Sequence, residues 1–462
     1  MQKEQQQLAE LVKGKKVAFI GAGVSHKTLI EEFVGLGAQV TLCDKKNSVE
    51  DFGDYADTIR RLGIDLSLGE HYMDGFKGQD IILRTPGFEY YQKPLQDAIA
   101  AGTMVTSEVE LFFDYCPCEI VGVTGSDGKT TTTTLIAEML KAAGKTVWLG
   151  GNIGTPLLDQ AERMRPEDVA VLELSSFQLM SMEQAPHIAV ITNLSPNHLD
   201  VHKDMDEYVG AKCNIFRRQG PEDVLVLNYD NELTRALAPQ APGRVRFFSR
   251  QSGLAQGVCL EGGVITDDGA PVMAAADIRI PGVHNIENYM AACAALRGLV
   301  SPEVMDQVAR TFGGVEHRLE LVRELDGVSW YNDSIGSSPS RTIAGLKSFS
   351  QKVILIAGGY DKHIPFDVLG PEVTAHVKLL VLCGATAGKI RAAVEAAPDY
   401  RPGHPEIIEV TPFRAAVEAA RDRAVPGDVV TLSPACAAFD QFKNFAERGK
   451  VFKEIVRSWP EE

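Results

Sequence analysis

A lysine and a threonine stand directly after a glycine-spaced turn in the segment GVTGSDGKTT, which begins at Gly122. The preceding EIVGVT is apolar enough for a buried strand, and the following TTTTLIAEML has helical spacing. Backbone amides of such a turn, together with the positive end of the helix dipole, bind phosphate oxygens. Lys129 would reach the outer phosphates, and the Thr130 hydroxyl would ligate Mg2+. The segment therefore predicts a site for the phosphates of a nucleotide.

The glycine spacing departs from the strict Walker pattern, because that pattern needs glycine at position 123, where this chain has Val123. The pattern GxTGxxGK[ST] is intact, and it lies between a predicted strand and a predicted helix, so phosphate binding is favoured over a bare turn. The later threonines suit the first turn of a helix and need no catalytic role. The residues predicted to line the phosphates are Gly125, Ser126, Asp127, Gly128, Lys129, Thr130, Thr131 and Thr132.

Two further segments end predicted strands with groups that could ligate a metal. Glu173 ends the strand DVAVLEL, and an acid at the carboxyl end of a parallel strand can ligate magnesium directly or through water. An exposed acid at a strand end is the alternative. The segment SPNHLDVH carries His198, Asp200 and His202, which alone do not complete a tetrahedral zinc set. A magnesium or manganese site beside phosphate is favoured, with His198 as the ligand nearest the strand end.

Lys212 lies beside the apolar stripe of the predicted helix DMDEYVGAKCNIFRRQ rather than on its charged face. Most such lysines extend their ammonium group to water. An inward-facing lysine could instead bind substrate, or be modified so that it carries a carboxylate. The residues alone leave these alternatives open.

Two polar pairs could serve a nucleotide from further along the chain. Asn285 and Asn288 are one turn apart on a predicted helix, where their amides could bind a base edge or cap the helix start. His317 and Arg318 follow a predicted domain boundary, where an arginine could reach a transferring phosphoryl group. A surface salt bridge is the alternative for Arg318.

Three blocks of alternating strands and helices position these residues. The first block opens with the strand KVAFI, the turn GAGVSH and a helix, and its second strand ends at Asp44. That order is typical of a nucleotide-binding βαβ unit, although His26 replaces the third glycine of the dinucleotide motif GxGxxG. The Gly-rich stretch 241–280 of the second block predicts an antiparallel insertion or edge. We predict an α/β fold with Rossmann-like domains at 1–113 and 315–462 around a P-loop ATPase-type domain at 114–314, whose sheet is mostly parallel.

Composition limits the classes of function. The chain has 462 residues, 45% of them hydrophobic, and a net charge of −16, which argues against general affinity for nucleic acid or anionic membranes. We expect a cytoplasmic protein, since the N-terminus lacks the apolar core of a signal peptide and no apolar run reaches the length of a membrane span. Eight cysteines include no CxxC pair, and Cys116 and Cys118 form only a weak metal signal, so free thiols are favoured.

Together these residues resemble the Mur ligase superfamily, ATP-dependent enzymes that join a carboxylate to an amine in building peptidoglycan precursors. The resemblance covers nearly the whole chain and is greatest for the branch that adds D-glutamate to UDP-N-acetylmuramoyl-L-alanine. The supporting strings, in the family's order, are GVTGSDGKTTT, GNIGTP, LELSSFQL, TNLSPNHLD, AKCNIF, PGVHNIEN, EHRLE, YNDS, GGYDK and LSPACAAFDQFKNFAERG. Sister ligases, which add another amino acid, and folylpolyglutamate synthetase-like ligases are the nearest alternatives; a dehydrogenase or a regulatory P-loop module would be a different class.

The resemblance implies ATP and one or two Mg2+ ions as cofactors and an acyl-phosphate intermediate. Because water must be kept from that intermediate, we predict that the third domain closes over the second, and we expect a monomer. The resemblance also implies that Lys212 is carbamylated by CO2 and supports the metal site with Thr130, Glu173 and His198. The implied catalytic residues are Lys129, His198, Lys212 and Arg318. Further implied nucleotide contacts are Asn285 and Asn288 near adenine, Arg318 at the γ-phosphate, and Asp333 at the ribose.

The same resemblance implies that the first block binds UDP rather than NAD. The implied contacts to the UDP-linked substrate are Val24, Ser25, His26, Asp44, Arg84, Pro86, Gly87, Asn152, Ser175 and Gln178. Lys362 and Phe445 would bind D-glutamate. Two positions depart from the pattern of many relatives in this last region: Ile335 stands where a lysine is common, and Ala438 where a serine is common.

Overall fold

A computed structural model describes residues 3–198, 201–251, 253–362 and 364–460. Within these ranges the strands form three sheets, and the chain divides into two compact units. One unit contains 1–275 and 287–308, and the other contains 276–286 and 309–462. The predicted α/β class with mostly parallel sheets is confirmed. The exact domain boundaries stay predictions.

The first sheet has five parallel strands in the order β3-β2-β1-β4-β5. Its strands are β1 Lys16–Ile20, β2 Gln39–Asp44, β3 Asp65–Leu68, β4 Ile81–Leu83 and β5 Met104–Thr106. The accompanying helices are α1 Lys3–Val12, α2 Val24–Gly35, α3 Ala56–Leu62, α4 Lys93–Ala100 and α5 Glu108–Tyr115.

The second sheet has nine strands in the order β14-β13-β12-β11-β10-β9-β6-β8-β7. Its strands are β6 Glu119–Thr124, β7 Val147–Gly151, β8 Val169–Glu173, β9 Ile188–Ile191, β10 Val224–Asn228, β11 Arg244–Ser249, β12 Val258–Glu261, β13 Val264–Asp267 and β14 Ala270–Ala274. Its helices are α6 Lys129–Ala142, α7 Ser176–Leu179, α8 Met205–Arg217, α9 Glu232–Arg235, α10 Val283–Ala295 and α11 Pro302–Thr311. Antiparallel pairing of β12, β13 and β14 confirms the antiparallel edge predicted within 241–280.

The third sheet has six strands in the order β15-β16-β20-β17-β18-β19, and only β15 pairs antiparallel among those described. Its strands are β15 Glu320–Leu325, β16 Val328–Asn332, β17 Val353–Ala357, β18 Val377–Leu382, β19 Glu406–Glu409 and β20 Val429–Leu432. Its helices are α12 Pro339–Leu346, α13 Leu369–His376, α14 Ala387–Glu395, α15 Phe413–Arg421 and α16 Phe445–Ser458.

Burial explains why the central strands read as apolar runs. All five residues of β8 and five of the six in β6 are buried, as expected for parallel strands covered on both faces. A single apolar cluster joins the first two sheets and includes Phe19, Phe112 and Leu172. In the register of β6 and β8, Val123 pairs with Glu173, so the phosphate loop and this acid lie at the same carboxyl edge.

Two simpler expectations concern cysteines and membranes. The eight cysteines are free thiols, which confirms the prediction, although the sulfur atoms of Cys116 and Cys118 lie 3.5 Å apart. In the part of the chain that the structure describes, no helix is long and apolar enough to cross a membrane.

Candidate functional site

The glycine turn after β6 has a backbone that only glycine can adopt without strain. Gly125 has φ +146° and Gly128 has φ +77°. A Cβ atom on Gly125 would lie 2.0 Å from the Thr192 hydroxyl, and one on Gly128 would lie 2.3 Å from Oδ1 of Asn288. The two glycines therefore serve both the conformation of the turn and its close packing.

Hydrogen bonds from the segment after β9 hold this turn in shape. The Asp127 amide donates to Oδ1 of Asn193 at 2.9 Å, and the Thr192 hydroxyl donates to the Asp127 carbonyl at 2.6 Å. The Ser126 hydroxyl lies 2.9 Å from the Tyr208 hydroxyl. These hydrogen bonds hold the turn in one conformation, which lowers the entropic cost of binding a ligand there.

Sequence reasoning missed Thr192, Asn193 and Tyr208 as supports of the loop. The signal for the first two was present, because they follow β9 directly and β9 pairs with β6. Recognising it required the order of the strands in the sheet. Tyr208 precedes Lys212 by one helical turn, so its partner depends on how α8 packs, which the sequence does not give.

Two lysines converge on the loop. Nζ of Lys129 donates to the Ser126 carbonyl at 2.9 Å. Nζ of Lys212 donates to the Gly125 carbonyl at 2.8 Å and to the Thr124 hydroxyl at 3.2 Å. Lys212 is only 2% exposed, so it does not extend to water as most lysines do. Burial, followed by repulsion from Lys129, lowers the pKa of Lys212 to about 7. A large fraction of this amine is therefore neutral near neutral pH.

Glu173 offers an oxygen that is not used by the protein. It is 2% exposed, and its Oε1 accepts a hydrogen bond from Nδ2 of Asn152 at 2.8 Å. Its Oε2 is buried without a hydrogen-bond partner among the described residues. An unsatisfied buried carboxylate oxygen fits a hard divalent cation such as Mg2+. Among the described residues, no group of three or more His, Cys, Asp and Glu side chains is placed so that it could hold a metal ion.

The two histidines after β9 differ in their surroundings. His198 has φ +55°, and its ring meets Phe177 edge-on with centroids 5.2 Å apart. His202 is 1% exposed and its ring stacks on Phe177, with its Nε2 2.9 Å from the Ser176 hydroxyl. His202 therefore supports the turn at Ser176, in keeping with the preference for His198 as a ligand. Asp200 lies outside the described residues.

Ser175 and Gln178 close the start of the short helix α7. The Ser175 hydroxyl accepts from the Gln178 amide at 3.2 Å, while Oε1 of Gln178 accepts from the Ser175 amide at 2.9 Å. This capping box fixes a turn only two residues after Glu173. The predicted substrate contacts Asn152, Ser175 and Gln178 thus lie close to the predicted metal ligand.

The predicted UDP contacts of the first block surround a second glycine turn. Val24 is 82% exposed and Ser25 is half-buried at the start of α2, and Asp44 ends β2. His26 is 1% exposed, with its Nδ1 2.9 Å from the Gly21 carbonyl, and burial lowers its pKa. The ring is therefore buried against the Gly21 carbonyl, and its role as a UDP contact stays a prediction.

The loop after β4 carries three of the predicted UDP-substrate contacts. Pro86 and Gly87 line a cavity of about 540 Å³ that also touches Phe177. Arg84 is 1% exposed, and its guanidinium bonds to the central domain rather than lining this cavity. Its prediction as a direct contact stays untested.

The asparagines of α10 have different neighbours. Nδ2 of Asn285 donates to the Pro281 carbonyl at 2.6 Å. Oδ1 of Asn288 accepts from the Thr132 hydroxyl at 3.3 Å, so Asn288 packs on the start of α6. Both residues are 6% exposed.

The second unit contains Arg318 and Asp333. Arg318 is exposed, and Asp333 is 4% exposed with its Oδ2 accepting from the Ser433 hydroxyl at 2.6 Å. Burial raises the pKa of Asp333 to about 6, against the smaller opposing effect of that hydrogen bond. The nearby positive charge of Arg318 also acts to lower the pKa of this carboxyl group.

The region predicted to bind the amino acid consists of the loops after β16, β17 and β20 and the start of α16. Lys362 is exposed, and Phe445 is 39% exposed at the start of α16, with its carbonyl accepting from the Ser334 hydroxyl at 2.7 Å. Ala438 is buried and Ile335 is half-buried. The strands β16, β20 and β17 are neighbours, so their carboxyl ends share one edge.

Arg448 is a support of this region that the sequence reasoning missed. It is 2% exposed, and its guanidinium donates to the carbonyls of Ser334, Cys436 and Ala437. It thereby fixes the loops after β16 and β20 relative to α16. The signal was its place in the string FKNFAERG, but its direction depends on the packing of α16.

Comparison with known proteins gives matches along nearly the whole chain. Residues 123–296 match the Mur ligase middle domain, and residues 317–436 match the Mur ligase, glutamate ligase domain. A UDP-N-acetylmuramoylalanine--D-glutamate ligase of Acetivibrio thermocellus is 53% identical, with 97% of each chain covered. Another ligase of that name, from Clostridium novyi, is 49% identical over 99% of this chain and all of its own.

Solved structures show the same fold at much lower identity. A UDP-N-acetylmuramate-alanine ligase from Thermotoga maritima is 18% identical with a TM-score of 0.57, covering 96% of this chain and 99% of its own. A UDP-N-acetylmuramoyl-L-alanyl-D-glutamate--2,6-diaminopimelate ligase is 17% identical with a TM-score of 0.55, covering 98% and 94%. These likenesses concern the fold alone.

Proposed function

The chain belongs to the Mur ligase family, and from that premise we propose that it uses ATP to join D-glutamate to UDP-N-acetylmuramoyl-L-alanine. Relatives named for this reaction share about half of its residues over nearly full length. The observation that carries the proposal within the structure is the convergence of Lys129, Lys212 and Glu173 on one preformed glycine turn. Because ATP and UDP-linked sugars are cytoplasmic metabolites, we place the reaction in the cytoplasm, and we propose that a monomer suffices.

The reaction must overcome the poor reactivity of a carboxylate as an acyl donor. A carboxylate oxygen of the UDP-linked substrate attacks the γ-phosphorus of ATP, the bond to the β-phosphate oxygen breaks, and an acyl phosphate and ADP form. The amine of D-glutamate then attacks the activated carbonyl carbon. The tetrahedral intermediate collapses with loss of inorganic phosphate and a proton, which leaves an amide.

The charges of this chain favour the first step, in which one anion attacks another. Lys129 would neutralise the phosphoryl oxygens, and we propose the same role for Arg318. Mg2+, held by the Thr130 hydroxyl, Oε2 of Glu173 and His198, would supply further neutralisation of these oxygens. The orphaned Oε2 of Glu173 supports this assignment.

We propose that Lys212 carries a carbamate. Its neutral amine would add to the carbon of CO2 and lose a proton, which gives an anionic group beside the metal site. A pKa lowered to about 7 supports this reaction, because only the neutral amine is nucleophilic. Conversion to an anion would also replace its repulsion of Lys129 with attraction.

The substrates would be divided among the three blocks. Val24, Ser25 and Asp44, with Pro86 and Gly87, would bind the UDP end, and His26 would hold their turn from inside. Asn152, Ser175 and Gln178 would bind the sugar-peptide end, and Asn285, Asn288 and Asp333 the nucleoside of ATP. Lys362 and Phe445 would bind D-glutamate.

Release of phosphate tests the function directly. The protein with ATP, Mg2+ and UDP-N-acetylmuramoyl-L-alanine should release phosphate when D-glutamate is added, and the rate should fall to background when the divalent ion is chelated. L-alanine, meso-diaminopimelate and D-alanyl-D-alanine are the comparison amines. Release with L-alanine but not D-glutamate would contradict the proposed specificity, and reduction of NAD would place the chain in another class.

Substitution of Lys212 tests the carbamate. Lys212→Ala should lose most activity and regain part of it when a short carboxylate such as formate is added, because the anion can occupy the vacated space. Lys212→Arg is the matched control: it keeps a cation that cannot be carbamylated, and formate should not restore it. Wild-type activity in either variant would remove Lys212 from the mechanism.

A further inference from the structure

Arg84 is a buried cation that passes from the first sheet to the central domain. It follows β4 directly and is 1% exposed. Its Nε donates to the Ser181 hydroxyl oxygen at 3.0 Å, and its Nη2 donates to the same oxygen at 2.5 Å and to the Phe177 carbonyl at 2.9 Å. The planar guanidinium thus uses two donors on one turn of the central domain, which a lysine could not reproduce.

Glu110 completes the contact from α5. The Ser181 hydroxyl donates to Oε1 of Glu110 at 2.9 Å, so one oxygen atom links the arginine to the carboxylate. Glu110 is 4% exposed; burial raises its pKa, and the nearby charge of Arg84 opposes that rise. The positive charge of the buried Arg84 is therefore balanced by Glu110, to which the Ser181 hydroxyl links it.

The turn that Arg84 holds is α7 and the residues that follow it. A helix of four residues has little stability of its own, because its end carbonyls lack partners within the helix. Arg84 satisfies the Phe177 carbonyl, while His202 pairs with the Ser176 hydroxyl and stacks on Phe177. The turn is fixed by residues that are distant from it in the sequence.

Arg84 also adjoins the other half of the same substrate site. In the register of β1 and β4, Leu83 pairs with Phe19, so Arg84, directly after β4, lies next to the end of β1. The glycine turn at which UDP is proposed to bind begins at Gly21, directly after β1. Arg84 therefore extends from the strand beside the UDP turn, and its side chain bonds to the Ser175–Gln178 turn.

We propose that Arg84 is a positioning residue, which fixes the two binding turns of the UDP-linked substrate relative to each other and does not touch UDP. This inference rests on the proposed function, in which one long substrate spans the first sheet and α7. Such a substrate binds well only if its two sites are already at the right separation, since misplacement by about 1 Å can cost about 100-fold in rate. The inference replaces the sequence-based expectation of a direct contact.

Calorimetry and kinetics on Arg84→Ala and Arg84→Lys test the proposal. Both variants should weaken the binding of UDP-N-acetylmuramoyl-L-alanine by about 10-fold or more, while the Kd of UDP alone and the KM of ATP change by less than about twofold. UDP alone occupies only the first turn, so it does not sense the separation. Ser181→Ala should give the same pattern, and its effect should not add to that of Arg84→Ala.

Two controls separate positioning from loss of folding. Arg60→Ala removes an exposed arginine of the same domain, which pairs with Glu50 and Asp57, and should change none of these constants. Arg84→Ala leaves Glu110 buried without its counter-charge and can unfold the chain. Ser181→Ala retains the charges of Arg84 and Glu110. If Arg84→Ala does not fold, the affinities of Ser181→Ala for UDP and for the full substrate therefore test the proposal.

Three results would overturn the inference. Equal loss of affinity for UDP and for the full substrate would show that Arg84 contacts UDP directly. Unchanged affinity for both ligands would leave Arg84 without a role in the site. Additive losses of affinity in Arg84→Ala and Ser181→Ala would show that the two residues act separately. These affinities are measured without an amino acid. A chain that fails to use D-glutamate would therefore contradict the proposed function without affecting this test.

Discussion

Two glycine turns, at residues 21–26 and 125–130, share a local design but have different surroundings. Each follows a buried parallel strand and precedes a helix, and Gly21 and Gly128 both have φ +77°. A Cβ atom on Gly21 would lie at an ordinary 3.7 Å from Oδ2 of Asp44. One on Gly128 would collide with Asn288 at 2.3 Å. The two glycines share this φ but not their place in the turn, because Gly21 directly follows β1 whereas Gly128 is the N-cap of α6. Of the two, only Gly128 is tightly enclosed.

Charge separates the two turns further. The second turn holds Lys129 and Lys212, whereas the first has a carboxylate at Asp44 and a buried histidine whose pKa is lowered. Backbone amides and one acid suit a nucleotide that is held unchanged. Cations with an orphaned carboxylate oxygen suit a phosphoryl group that reacts. We therefore propose that each turn binds an anion through its backbone amides, while charged residues around the turn decide the chemistry.

Removal of the lysine at the second turn should have the largest effect. Lys129→Ala should lower kcat/KM for ATP by about 100- to 1,000-fold, because a charge aimed at the transferring group is lost from a partly buried site. Lys141→Ala is the matched control: it lies on the same helix, is exposed, and pairs with Glu138. Coupled phosphate-release kinetics measure both. Equal rates in the two variants would contradict the proposed role of Lys129.

Alanine at Gly21 and at Gly128 should separate the effect of the positive φ from the effect of close packing. Gly21→Ala and Gly128→Ala both place a side chain at φ +77°, which costs about 1–2 kcal/mol of stability. Only Gly128→Ala also displaces Asn288 and the start of α6, so only it should raise the KM of ATP, by about tenfold or more. Thermal unfolding and steady-state kinetics report the two effects. A similar rise in the KM of ATP for Gly21→Ala would show that the turns are not independent.

The sequence was sufficient for what is local to each turn. It predicted the strand, the glycines and the helix at Lys129, since periodicity and glycine spacing are properties of neighbouring residues. It did not predict that Thr192 and Asn193 support Asp127, or that Arg84 faces the central domain, because those contacts depend on strand order and domain packing. His26 is an example: its replacement of a motif glycine is visible in the sequence, but the burial of its ring against Gly21 depends on how α2 packs.

Removal of the Asp44 charge should have a moderate effect on binding of the UDP-linked substrate and no effect on ATP. Asp44→Asn should raise the KM of the UDP-linked substrate by about tenfold, as expected for loss of one charge-assisted hydrogen bond, and leave the KM of ATP unchanged. Asp65→Asn, at the exposed start of β3 in the same sheet, is the control. An equal change in the KM of ATP would mean that Asp44 acts on the whole unit and not on the first turn.

The smallest expected effect is a pH dependence that belongs to the first turn alone. Burial lowers the pKa of His26 in the folded chain, so the unfolded chain binds its proton more readily. The stability of the folded state should therefore fall as pH drops below about 6.5, by at most about 1.4 kcal/mol per pH unit, until the folded pKa is reached.

His26→Gln removes this contribution, and denaturant unfolding between pH 7.5 and about 5 should show a shallower decline in stability than in the unsubstituted chain. His71→Gln, at an exposed position of the same domain, should leave the decline unchanged. Because His317 is present in all three chains, its own lowered pKa cancels in the comparison. Identical slopes for His26→Gln and the unsubstituted chain would mean that the pKa of the ring does not change on folding, and the interpretation of a buried neutral histidine in the first turn would be wrong.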